Sequence, residues 1–110
     1  MSNLSRIELL QSFADQEPDN PFNWYALALE FQKDNPEKTV LLFHDLLKKH
    51  PEYLPTYYQA AGFFADRGDI NLSRSIYESG IALAKKQNQN NTLRELQNAY
   101  QNFLFENDLM

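Results

Sequence analysis

The chain contains no cysteine. Disulfides, thiolate nucleophiles and cysteine-built metal sites are thereby excluded. Glycine is scarce, 3 of 110 residues, which disfavours a turn-dense β architecture. Apolar runs are only a few residues long, far short of the roughly 20 that span a bilayer. The opening Met1-Ser2-Asn3-Leu4-Ser5-Arg6 has no basic start followed by an apolar stretch, so no signal peptide is expected. Positive charge is also short. Ten Lys and Arg face fifteen Asp and Glu, for a formal net charge of -5. Such a surface repels phosphate backbones and anionic lipid, so neither nucleic acid nor a membrane is an expected partner. No glycine-rich phosphate loop and no GxSxG elbow occurs. The expectation is a cytoplasmic protein with no cofactor.

What is present is apolar and aromatic: 43% and 14% of the residues. That supports a packed single domain. Six segments carry helical periodicity, and none carries strand-like alternation, so the fold class is all-α. The first segment spans 5–16, with Ser5 and Glu8 as a capping box and Leu4 against Leu9 as its staple. The second begins at Asn20-Pro21 and runs to Lys33. The third begins at Asn35-Pro36 and ends near His50-Pro51. Asn followed by Pro suits an N-cap and the first helical position. The fourth covers 55–67, closed by Gly68 in the left-handed conformation. The fifth starts behind Asp69, its buried face Ser73, Ile76, Tyr77, Gly80, Ile81 and Ala84. After a polar loop at 87–91, Thr92 and Glu95 form a second capping box, and the sixth helix runs to Phe105, beyond which the chain frays.

The chain repeats itself. Trp24-x2-Leu27-Ala28-x2-Phe31 matches Tyr57-x2-Ala60-Ala61-x2-Phe64 at an offset of 33 residues, and Thr39-x3-Phe43 matches Ser73-x3-Tyr77 at 34. Pro18 and Pro51 are also 33 apart. This pattern resembles the tetratricopeptide repeat, a helix–turn–helix of roughly 34 residues. Arg6-x3-Leu10 followed by Pro18 looks like half of one more repeat. The resemblance implies an antiparallel helix-hairpin array, a right-handed solenoid of about six helices. Its parts are a half repeat at 5–18, full repeats at 21–51 and 54–86, and a capping helix at 92–105. Small residues at Ala28, Ala61 and Gly80 would let helices approach, while Trp24, Phe31, Phe43, Tyr57, Phe64 and Tyr77 fill the gaps. Departures from the family pattern are Ala for Gly in both first helices, Lys85 where Pro closes a repeat, and Arg6 at a small position. A substitution of Trp24 by Ala is expected to cost roughly 3–5 kcal/mol as a core truncation.

The same resemblance makes the first helix of each repeat line a concave surface. Phe22, Tyr25, Leu29 and Lys33 would face it from the first repeat, and Tyr58, Gln59 and Asp66 from the second, beside Pro55 and Gly62. An aromatic, apolar groove of this kind suits a peptide or helix of a partner protein. Phe22 and Leu29 are equally readable as plain core, whereas the hydroxyls of Tyr25 and Tyr58 favour a wet edge. Tyr25, Leu29 and Gly62 stand where relatives that clamp a C-terminal carboxylate carry polar residues, which argues against that mode. The alternative use of the surface is a homodimeric scaffold. No residue is assigned a catalytic or metal-binding role. His44 and His50 are six apart and share no helix face as an i, i+4 pair would. Asp15-Gln16-Glu17-Pro18-Asp19 fails as a calcium loop, because Ala26 stands where the bidentate Glu belongs.

Overall fold

A computed structural model describes residues 3–110, with side chains from Ser5 onward. It contains six helices: α1 (Asn3–Gln16), α2 (Pro21–Phe31), α3 (Pro36–Lys49), α4 (Pro55–Asp66), α5 (Ile70–Lys86) and α6 (Asn90–Glu106). No strand occurs among the described residues. The chain divides into two units, 1–53 and 54–110.

In the first unit α1 packs on α2 and α2 on α3. Asn20 accepts from the Phe22 N–H at 3.1 Å, and Asn35 from the Lys38 N–H at 3.4 Å, each with Pro at the first helical position. These caps satisfy amides that the first turn leaves orphaned. Ala14, Leu27, Ala28, Leu42, Phe43 and Leu46 form the core. Among them lies the Thr39 hydroxyl, fully buried and donating to the Ala28 carbonyl at 2.9 Å. α1 begins at Asn3, so Ser5 lies inside the helix and is not its cap. The proposed staple involves the Leu4 side chain, which lies outside the described residues.

In the second unit α4 packs on α5 and α5 on α6. Ala60, Ala61, Phe64, Ile76, Ala84, Leu96 and Phe103 are buried. Ser73 repeats the role of Thr39, its hydroxyl donating to the Ala61 carbonyl at 2.7 Å. Gly80 permits the closest approach: a Cβ there would lie 2.7 Å from the Tyr57 Cβ. α4 ends on Gly68 at φ +85, with Gly68 N–H bonding Ala65 and Asp69 N–H bonding Phe64. This is the Schellman closure expected of a left-handed glycine. Asn88 and Asp108, at φ 58 and 55, close α5 and α6 in the same way.

Those two closures correct the reading of the last third. Because Asn88 reverses the chain in one residue, α6 starts at Asn90, and Thr92 with Glu95 falls within the helix. Asp108 likewise ends α6 in a defined turn, where the sequence suggested fraying. Asp69 holds the N-cap position of α5, but its side chain makes no capping hydrogen bond.

Candidate functional site

In the first unit the candidate contacts divide sharply. Phe22 is 55% exposed at the start of α2. Tyr25 is half-buried, its ring edge-on to Tyr53 at 5.7 Å. Burial pushes both phenols above their ordinary range, and Tyr53 adds to the effect on Tyr25. Leu29 is half-buried, and Lys33 is exposed in the turn beyond Phe31, not on the helix as its spacing suggested. Trp24 is half-buried too. Its indole N–H donates to the Pro18 carbonyl at 3.0 Å, over a small depression shared with Leu42, Leu46 and His50. The His50 backbone caps α3, and its Nδ1 lies 3.8 Å from Glu52. No group of three His, Cys, Asp or Glu among the described residues is arranged to hold a metal ion.

In the second unit Tyr58 is 43% exposed, Gln59 half-buried and Asp66 exposed, all on α4. Asp66 also borders a cleft of about 430 Å³ between α4 and α6. Tyr77 of α5 also lines it, and Asn102, Phe103 and Glu106 line its α6 side. Gly62 borders the cleft, and a Cβ built on it meets nothing within 4 Å. The Tyr77 ring packs against Tyr100 and Phe103 at 5.5 and 5.4 Å. Its phenol is pushed upward, first by burial and then by Tyr58, Asp66 and Glu106. Tyr100 donates to Glu78 at 2.6 Å, which in turn meets Arg74. Burial and that hydrogen bond raise the Tyr100 phenol, with Arg74 opposing.

The sequence pattern missed Tyr77, Asn102 and Glu106. Tyr77 reads as a seam filler, and the last helix reads as a cap. The available signal was Ala99, Asn102, Phe103 and Glu106 at i, i+3, i+4 and i+7, one face of α6.

No protein-family profile matches the chain, and no curated protein matches it. Solved structures do. The solution structure of a tetratricopeptide repeat domain protein from Salinibacter ruber is 32% identical, with a TM-score of 0.74 over 79% of this chain and 89% of that one. The chain belongs to the tetratricopeptide-repeat family. A crystal structure of a tetratricopeptide repeat domain protein from the same organism, also 32% identical, matches with a TM-score of 0.71 over 76% of this chain and 94% of that one.

Within this tetratricopeptide-repeat protein, the hydroxyl-to-carbonyl bonds Thr39–Ala28 and Ser73–Ala61 occupy equivalent places in α2–α3 and α4–α5. They tie the second helix of each hairpin to the small residue of the first. The two hairpins that carry these bonds are α2–α3 and α4–α5, and α6 follows α5 directly.

Proposed function

We propose that this tetratricopeptide-repeat protein is an interaction module that holds a peptide or helix of a partner protein against its first helices. Phe22, Tyr25, Leu29 and Lys33 would serve from the α2 hairpin, and Tyr58, Gln59 and Asp66 from α4. The observation that carries this reading is the exposure of Phe22 and Tyr58, two large aromatic side chains more exposed than the other aromatics of α2 and α4. Aromatic anchors of this kind dominate protein interfaces because they desolvate much area for little lost side-chain freedom. Tyr25 contributes less directly, since its ring is already engaged by Tyr53. The likeness to tetratricopeptide repeat domain proteins supports reading the chain as a binding protein and not an enzyme, and no helix among the described residues is long and apolar enough to cross a membrane.

The test is capture of a partner from the native lysate by the wild-type chain and by a Phe22→Ser, Tyr58→Ser variant. Both positions are exposed, so helical content by circular dichroism should be unchanged. Capture is expected to disappear, and undiminished capture would remove these anchors from the proposal. The same exposed rings also suit a homodimeric scaffold. Light scattering across a dilution series separates the two uses: a strict monomer ends the second.

A further inference from the structure

The α4–α6 cleft differs in chemistry from the apolar anchors. Two carboxylates border it, Asp66 from α4 and Glu106 from α6, and no Lys or Arg among the described residues forms an ion pair with either. Two arginines of the unit make contacts elsewhere: Arg67 lies over the Phe63 ring at 5.5 Å, and Arg74 meets Glu78. Tyr77 lines the cleft with the two carboxylates. The residue is 6% exposed, its ring packed against Tyr100 and Phe103, and its hydroxyl, with no hydrogen bond among the described residues, is not buried but reaches the surface. A buried ring with an accessible hydroxyl leaves that hydroxyl open to a ligand's donor. Asn102 lines the same cleft. Gly62 keeps the mouth clear although no neighbour within 4 Å demands glycine there, and glycine inside a helix costs about 1 kcal/mol relative to alanine.

A ligand for this cleft must offer positive charge to two carboxylates and N–H donors to a phenol and an amide oxygen. It must also bring an alkyl stem to lie along Phe103 and Ala99. Ammonium and guanidinium side chains have that combination. We propose that the α4–α6 cleft is a socket for a lysine or arginine side chain of the partner segment, held by Asp66, Glu106, Asn102 and the Tyr77 hydroxyl. This rests on the partner-binding reading above and adds the partner's chemistry: a segment with an apolar anchor and a basic residue. The acidic excess of the whole chain, -5, favours the same partner by steering.

The probes are four capped tripeptides, acetyl-Ala-X-Ala-amide with X as Lys, Arg, Glu or Leu, titrated into the full chain and followed by amide resonances. The Lys or Arg peptide is expected to move Gly62, Asp66, Tyr77 and Asn102, with the Glu and Leu peptides leaving them in place. Asp66→Asn with Glu106→Gln should weaken that response about tenfold, as expected for loss of hydrogen bonds to a charged group. Gly62→Leu, filling open space, should block it without unfolding the helix. The proposal falls if the Leu peptide moves the same resonances, if the charge-neutral variant binds as well as wild type, or if neither basic peptide moves them. Loss of capture by the Phe22, Tyr58 variant alongside silence in these titrations would retire the socket and keep the interaction module. The reverse pattern would keep the socket and retire the aromatic anchors.

Discussion

Three buried hydroxyls carry different consequences. Thr39 and Ser73 donate to the Ala28 and Ala61 carbonyls, whereas Thr56 Oγ1 is buried with no hydrogen-bond partner among the described residues. A satisfied buried hydrogen bond contributes roughly 1 kcal/mol net, and an unsatisfied group costs about as much or more. Thr39→Val should therefore lower stability by roughly 1–2 kcal/mol in urea titration, while Thr56→Val should be neutral or stabilising. Equal losses at the two sites would contradict the hydrogen-bond assignment. The glycines divide similarly. Gly80→Ala drives a Cβ into the Tyr57 Cβ and should cost roughly 1–3 kcal/mol. Gly62→Ala, with free space around it, should gain about 0.5–1 kcal/mol. The sequence pattern gave Thr39 and Ser73 as matching small positions, but not what their hydroxyls do. Hydrogen bonds between residues 11 and 12 apart have no periodic signature.

At the scale of the element, termination is where local chemistry was most and least readable. Gly68 was expected to end α4, and it does so in the left-handed conformation. Asn88 and Asp108 do the same work, yet each sits in a polar stretch where several residues are equally eligible. A non-glycine residue in that conformation is strained by roughly 1 kcal/mol, less for Asn and Asp. Asn88→Gly and Asp108→Gly should each raise the melting temperature slightly, and Gly68→Ala should lower it. A fall on Asn88→Gly would mean that its side chain, not its backbone, closes α5. Helix starts with Asn-Pro were legible because both residues act locally. The α6 start was not, since Asn90 follows from how α5 ends. At the candidate site Phe22 and Tyr58 are exposed. Tyr25 differs because Tyr53, on a separate turn, covers its edge.

For the molecule as a whole, the repeat and the all-helical class were readable from two matched hairpins, since each must bury large residues at the same helical positions. The cleft was not, because it needs α4, α5 and α6 folded together. Magnitudes shift as well. Trp24 is half-buried with its indole N–H bonded to Pro18, so Trp24→Ala should cost about 2–3 kcal/mol, below the full core value. Against a total of about 5–15 kcal/mol, that remains a clear drop in thermal melting. Four phenols, Tyr25, Tyr53, Tyr77 and Tyr100, are held above the ordinary value of about 10. The unfolded chain loses these protons first as pH rises, so it binds fewer than the native state. Stability is then full below pH ~10 and declines as pH climbs through the native values. Replacing Tyr25 and Tyr53 by Phe should flatten that alkaline decline in urea midpoints, and an unchanged slope would mean these rings do not ionise differently on unfolding.

Trp24 is the sole indole in the chain, and it lies in the 1–53 unit. Its emission therefore watches that half alone, through loss of the tether to Pro18, while far-ultraviolet ellipticity sums the helices of both halves. Superimposable curves from the two signals would mean that residues 54–110 let go together with residues 1–53. A lag between them would give each hairpin set its own melting point, measured without altering an atom.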